Sequence, residues 1–383
     1  MGDFIYLDYN ATTPTDPRVA ETMTPFLTGV FGNPSSGHRA GREAKAAVEG
    51  AREQVATCLG CSPEEVIFTS GGSESDNVAL RGVVAARGGG HLVVSAVEHP
   101  AVLETALAME MEGLARLTVV GVDRHGRVDP AEVEAALRTD TVLVSVMLAN
   151  NEVGTLQPIS DISALCRSRG VLLHTDAAQA VGKIPVNVEA LAVDLLTVAG
   201  HKLYAPKGIG ALYIRRGVTI EPLIRGAGHE HRLRAGTENI LEIVGLGAAC
   251  ELVVAEVDGE IGRLAVLRDR LRDRLAAEIP GLVVHAAGAD RLPNTLSVSL
   301  PGVHAGDLLA AIGDRVAASA GAACHGLQVQ VSHVLAAMGV ITTVALGTIR
   351  LSVGRFTSED EIDQGAEIIL GAVAATGAGS SQT

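Results

Sequence analysis

Short apolar runs recur along the first two-thirds of the chain, at residues 66–70, 92–96, 117–122, 142–148, 171–175 and 195–199. Each is nearly uniform in Val, Ile, Leu and Ala, the pattern of strands covered on both faces in a parallel sheet. Between them, residues 74–86 and 130–137 carry apolar positions at helical spacing. Strand, helix, strand in alternation predicts an α/β unit with a mostly parallel sheet. The rhythm changes near residue 258. Over residues 261–279, Leu264, Leu267, Leu271 and Leu275 recur at helical spacing with Arg and Asp between them, an amphipathic helix. Strand-like runs at 296–300 and 349–353, flanked by helical stretches at 305–312 and 358–374, predict a smaller α+β unit. The expected division is a large unit over 16–258 and a small one from 1–15 and 259–376. Residues 377–383, small and polar, read as a frayed tail.

Charge narrows the function. The chain has 30 Lys and Arg against 44 Asp and Glu, a net charge of −14. Nucleic acids and anionic membrane surfaces are bound through cationic contacts, so neither is expected as a partner. A hydrophobic content of 47% is too high for disorder, and with no Trp and 2% aromatics the core must be built from Ala, Val, Leu and Ile. The longest apolar stretch, 243–257, is broken by Glu251, so no membrane span is expected. The N-terminus lacks a basic region leading into an apolar one, and five cysteines is an odd number. Both favour a reducing cytoplasm with free thiols.

Ligands of parallel α/β sheets bind beyond the carboxyl ends of the strands. Thr69-Ser70-Gly71-Gly72-Ser73-Glu74 ends one strand and opens a helix. It reads as a phosphate cradle or as an ordinary turn with a serine cap. Asp176 directly follows an apolar strand, where it can hold a cationic ring nitrogen or a metal, or cap a helix. Lys202, in Gly200-His201-Lys202, follows another strand; a desolvated lysine there can form a Schiff base, with Lys207 as a competitor. Cys324 sits among small residues, Ala320 to Gly326, that read as a mobile loop presenting a nucleophile. His99 and Asn151 also end strands. Cys58 and Cys61 form a Cys-x-x-Cys without a thioredoxin context, and Cys166 and Cys250 lie in apolar helical runs; these four read as structural. His229-Glu230-His231 is too sparse for a metal site, and no metal is expected. Together, a phosphate cradle, an acid, a lysine and a histidine at the ends of one sheet are the parts of a pyridoxal-phosphate site.

In this order along the chain, the motifs YLDYNATTP from Tyr6, FTSGGSESDN at 68–77, VEHPAV at 97–102 and MLANNEVG at 147–154 are followed by HTDAAQAVGK at 174–183. GHKLYAPKGIGALY at 200–213, RAGTEN at 234–239, GAAC at 321–324 and IRLSVGRFT at 349–357 complete the series. With them the chain resembles the cysteine desulfurases and selenocysteine lyases, class-V members of the fold-type-I pyridoxal-phosphate enzymes. The resemblance runs from about Tyr6 to Asp363. It implies a large domain with a mostly parallel, seven-stranded type of sheet and a smaller α+β domain. It also implies roles. Lys202 binds pyridoxal 5'-phosphate covalently, Asp176 pairs with the ring nitrogen, His99 stacks over the ring, and Gln179 bonds the ring oxygen. Gly72, Ser73 and His201 hold the phosphate, joined by Thr237 from a neighbouring subunit of a homodimer. Asn151 and Arg350 bind the substrate carboxylate, Arg350 as a bidentate clamp. Cys324 accepts sulfur from L-cysteine and passes it to an acceptor. Ser73 stands where the family commonly has Thr, and Ala199 where many members have Ser. The loop from the cysteine onward reads CHGLQVQVS, without the usual hydroxyl-rich run and Pro. NNEVGTLQP, TDAAQA, GTEN and GAACH lean toward the selenocysteine lyase style, which makes L-selenocysteine the alternative substrate. A catalytically idle sulfur-carrier scaffold is the third reading, against which the intact Lys202, Asp176 and Cys324 stand.

Overall fold

The computed structural model describes residues 4–325 and 328–379, with side chains except at 322–325, 328–330 and 376–379. Seven strands form the main sheet: β1 (Val66–Thr69), β2 (His91–Ser95), β3 (Arg116–Val120), β4 (Thr141–Ser145), β5 (Leu172–Asp176), β6 (Leu195–Ala199) and β7 (Gly210–Ile214). Their order is β1-β7-β6-β5-β4-β2-β3, parallel except where β7 pairs antiparallel with both β1 and β6. Most strand residues are fully buried, as the uniform apolar runs require. β7 had no counterpart in the sequence reading. Gly208 and Gly210 break up its apolar run, and the glycine has a steric cause. A Cβ at Gly210 would lie 2.6 Å from the Val198 carbonyl and 2.7 Å from the backbone of Gly71, so only glycine lets β7 close against the end of β1.

Helices cover both faces. α1 (Arg39–Leu59) packs Ala44, Val48, Ala51, Val55 and Leu59 inward and stops at Gly60, which adopts the left-handed conformation at φ 72°. Its alanine-rich stripe is too weakly apolar to stand out in the sequence. α2 (Gly72–Arg87) follows β1, and α3 (Pro100–Met111) follows β2. α4 (Ile240–Glu278) is one helix of 39 residues. The boundary expected at residue 258 falls inside it. Its first half buries Ile243, Leu246 and Val253 in the core of the main sheet. Its second half buries Leu264, Leu267, Leu271 and Leu275 in a second apolar cluster with Ile5, Leu7 and residues from 296 to 369. The shift to charged residues near 258 marks a solvated stretch between two buried stretches, not a break in the backbone.

The second cluster lies under a four-stranded antiparallel sheet of β8 (Val283–Val284), β9 (Thr295–Ser299), β10 (Ser319–Ala320) and β13 (Thr348–Ser352), with α5 (Glu359–Gly379) against it. Between β10 and β13, a separate hairpin pairs β11 (Ala322–His325) with β12 (Gln328–Val331). This segment was expected to be a loop. The alternating Val329, Gln330 and Val331 supply the strand preference that the small residues before Gly326 concealed. No helix among the described residues is long and apolar enough to cross a membrane.

The His229-Glu230-His231 run serves the fold. Residues Glu230, His231 and Arg232 have φ of 44°, 56° and 70°, and this turn drives Glu230 into the interior. There it accepts from Arg52 Nη1 at 2.8 Å, Arg52 Nη2 at 2.9 Å and the Phe68 N–H at 2.7 Å. Arg52 also stacks over the Phe68 ring, 4.8 Å from its centre. Glu230→Ala would leave the buried guanidinium with only the half-exposed Glu49, 3.2 Å from its Nε, as a carboxylate partner. It is expected to cost about 3–5 kcal/mol, read as a lowered urea midpoint; a loss below about 1 kcal/mol, the worth of a surface pair, would refute the assignment.

Candidate active site

The carboxyl ends of β1, β2, β4, β5 and β6 open onto a cavity of about 410 Å³. Its lining includes Gly72, Ser73, His99, Asn151, Asp176, Gln179, His201, Lys202 and Arg350. Nine of the ten residues assigned to cofactor or substrate from the sequence, apart from the sulfur-accepting Cys324, therefore meet in one place. Thr237 does not; it is exposed on the segment leading into α4. Cys324 pairs with Val329 in the hairpin, and its side chain lies outside the described residues. Lys207 is exposed on an adjoining groove that shares Gly72, Ser73 and His201 with the cavity, and it does not line the cavity itself, so Lys202 is the lysine that faces it.

Lys202 Nζ donates to the backbone carbonyls of Asn10 and Ala11, each at 2.7 Å. Burial, then the positive charge of Arg350, pulls its pKa down to about 8, against the opposing pull of Asp176 and Asp8. Asp176 is 5% exposed and accepts from the Ala178 N–H at 2.8 Å. Burial pushes its carboxyl up, while that N–H, His99 and Lys202 draw it back. His99 caps α3, its Nδ1 accepting from the Ala101 N–H at 3.1 Å, so a neutral ring carries its proton on Nε2. The ring is open to the cavity but shielded by protein around it, and this desolvation lowers its pKa. His201 is lowered to about 4 by burial and by the surrounding lysines, and it meets Thr12 Oγ1 through Nδ1 at 3.1 Å.

α2 begins at the cavity. Gly71, at its cap, has φ 150°, and a Cβ on Gly72 would stand 3.2 Å from that of Ala199. The first N–H groups of a helix have no carbonyl four residues back, and a 16-residue helix adds a favourable dipole for an anion. Arg350, on β13, donates through Nη2 to Asp8 Oδ1 and Ser319 Oγ, both at 2.8 Å, and through Nη1 to the Asn151 carbonyl at 3.1 Å. Its Nε is buried and has no hydrogen-bond partner among the described residues. The bidentate clamp expected of Arg350 is thus largely engaged by Asp8, Ser319 and Asn151, with Nε as the free buried donor.

Several residues at the site escaped sequence reading. Asn10, 1% exposed, is a hub: its carbonyl accepts from Lys202 and Gln179, and its side chain meets Thr295, Asn294 and Lys183. Asp76 lines the cavity; its Oδ1 accepts no hydrogen bond among the described residues and stands 3.7 Å from His174 Nε2, and burial together with the charge of Asp176 raises its carboxyl. Glu98 is raised to about 8 by burial and accepts from Ser95 Oγ and the Met147 N–H. Their signal was only an acidic or amide residue inside an apolar stretch, which caps and turns also produce.

The chain belongs to the class-V aminotransferase family, which matches residues 5–364. This is a family of pyridoxal-phosphate enzymes, and the residues here suit that cofactor: a helix N-terminus with Ser73 for a phosphate, a buried carboxyl for a ring nitrogen, and an amine of lowered pKa for an aldehyde. Among its relatives, the cysteine desulfurase IscS of Dictyoglomus turgidum is 45% identical over 368 residues, 95% of this chain and 93% of that protein. The cysteine desulfurase IscS of Anaeromyxobacter dehalogenans is 47% identical over 364 residues, 94% and 90% of the two chains. A solved NifS-like protein superposes with a TM-score of 0.91 at 39% identity, over 97% of this chain and 99% of its own. SspA in complex with cysteine gives 0.80 at 33% identity, over 92% and 100%.

Proposed function

We propose that this chain is a pyridoxal-phosphate-dependent cysteine desulfurase, converting L-cysteine to L-alanine and taking the sulfur on Cys324. The observation that carries the reading is the pairing of Lys202 and Asp176 in one cavity whose rim is tied to the Cys324 hairpin. Ser332, at the end of that hairpin, meets Glu152 Oε2 at 2.5 Å, and His333 Nε2 donates to the Glu98 carbonyl at 2.8 Å. Glu152 and Glu98 are the neighbours of Asn151 and His99, so the hairpin is anchored beside both.

Asp176 would hold the cofactor's ring nitrogen, the helix N-terminus with Ser73 and His201 its phosphate, and Gln179 its ring oxygen. The cofactor supplies an electron sink for the substrate's α-carbon. Lys202 Nζ takes the Cα proton of L-cysteine, and His99 Nε2 is placed to move protons nearby. Arg350 Nε and Asn151 receive the substrate carboxylate. The Cys324 thiolate attacks the substrate sulfur; an S–S bond forms as the C–S bond breaks, and the released carbon takes a proton to give alanine. The persulfide then passes its outer sulfur to a thiol acceptor. Thr237 completes the phosphate site of a second subunit in a homodimer. A reducing cytoplasm suits free Cys58, Cys61, Cys166 and Cys250. The relatives above are named for cysteine, not selenocysteine, so the lyase reading and the idle scaffold are not favoured.

Cys324→Ala is the test. Alanine release from L-cysteine should fall on the order of 10³-fold or more while the bound cofactor keeps its yellow colour. Unchanged turnover in this variant would reject the assignment, and parallel assays with L-selenocysteine would expose a selenium preference.

A further inference from the structure

Lys183 is a buried amine to which the sulfur chemistry gives no task. It is 6% exposed, does not line the cavity, and stands four residues after Gln179. Its Nζ donates to Asn10 Oδ1 at 3.0 Å and to Gln179 Oε1. Gln179 Nε2 in turn donates to the Asn10 carbonyl at 2.9 Å. We propose that Lys183 is a positioning residue that fixes the Gln179 amide so that it can only donate to the cofactor's ring oxygen. The inference rests on the pyridoxal-phosphate reading above.

An amide offers two N–H groups and one carbonyl, and its orientation is set by its partners. Lys183 has at least two N–H groups in either protonation state, enough to donate to both Asn10 Oδ1 and Gln179 Oε1. The Asn10 carbonyl can only accept. Flipping Gln179 would set its oxygen against the Asn10 carbonyl, which has no proton to give, and its NH₂ against the Lys183 amine that donates in the observed arrangement, leaving two oxygens facing each other at a site 5% exposed. In the observed orientation one N–H of Nε2 is used, and the second has no acceptor among the described residues. Gln179 lines the cavity, so that N–H suits an ionised ring oxygen and would reject a hydroxyl acting as donor. Burial, then the charges of Lys202 and Arg350, lowers the Lys183 amine well below the ordinary range, in keeping with a residue kept for hydrogen bonding in place of an ion pair. The same geometry links two roles through Asn10, whose carbonyl accepts from both Gln179 and Lys202.

The experiment uses the holoenzyme and reads the pH at which the bound cofactor's visible band titrates. A hydrogen bond to the ionised ring oxygen stabilises the deprotonated form, so losing it should raise the midpoint. Lys183→Met and Gln179→Leu should each raise it by about one pH unit, and the double variant by no more than either alone. Lys183→Gln, which keeps a donor, should restore part of the shift. A Lys183→Met protein that melts earlier yet titrates at the wild-type midpoint overturns the proposal, since a purely structural lysine would behave that way. If Lys183→Met does not fold, neutron diffraction of the unaltered holoenzyme decides. Deuterium on the end of Gln179 facing Asn10 and the cavity supports the proposal, and deuterium facing Lys183 overturns it. A wild-type protein that takes up no pyridoxal phosphate overturns the parent reading and this inference with it, whereas normal uptake with an unmoved midpoint overturns this inference alone.

Discussion

Lys202→Ala is expected to end alanine release from L-cysteine altogether and to leave no side chain that borohydride can fix to pyridoxal phosphate. In the unaltered protein, borohydride followed by peptide mapping should label the peptide containing Lys202. Labelling of Lys207 or Lys183 in its place would refute the assignment. The lowered amine adds a second readout. Only a neutral amine condenses with an aldehyde, and the neutral fraction grows with pH until the pKa is passed. With the Lys202 pKa at about 8, cofactor uptake by the cofactor-free protein should quicken up to about pH 8 and level off above it. An ordinary lysine at 10.5 would be roughly 300-fold poorer in neutral amine near pH 7. An uptake rate still climbing beyond pH 10 would show that burial does not depress this amine.

Asp176→Ala should have the next largest effect. Asp176 is the buried carboxyl that would keep the ring nitrogen charged, so its loss removes electrostatic stabilisation where negative charge develops. The expected fall in kcat is on the order of 10³-fold, with weaker cofactor retention on gel filtration. Asp176→Asn should fall nearly as far, because an amide keeps the hydrogen bond from the Ala178 N–H but carries no charge, and Asp176→Glu should recover part of the loss. If the asparagine variant kept near-normal turnover, charge would not be the function of this residue. The neighbouring Asp76 cannot substitute, because burial and the charge of Asp176 itself favour its protonated form.

Much of this site was legible because its residues follow strands. A uniform apolar run ends, and the next polar residue stands at the sheet's carboxyl edge; Asp176 and Lys202 declare themselves that way, as do His99 and Gly72. Ordered motifs then carried the reading across to Gln179, Asn151 and Arg350. What stayed hidden depends on partners distant in sequence. Asn10 and Lys183 are 173 positions apart, and neither has a local pattern that marks it as buried. Glu230 looked like part of a weak metal motif because its true partner, Arg52, is 178 residues away. α1 was missed since alanines interleave with Val48, Val55 and Leu59 on its packing face and dilute the apolar stripe, and β7 because glycine was needed where an apolar residue would have announced a strand. The hairpin bearing Cys324 was mistaken for a loop because small residues have no preference that outweighs their neighbours.

The long helix that spans both apolar clusters sets a limit on how the protein can be dissected. Because one rod forms a wall of each core, severing it at residue 258 would strip both cores at once, so separately expressed halves should aggregate and not behave as autonomous modules. Any opening of the cleft must then be taken up by slight flexing of that shared beam, where Gly259 and Gly262 stand clear of neighbouring atoms, and not by a free swivel between two bodies.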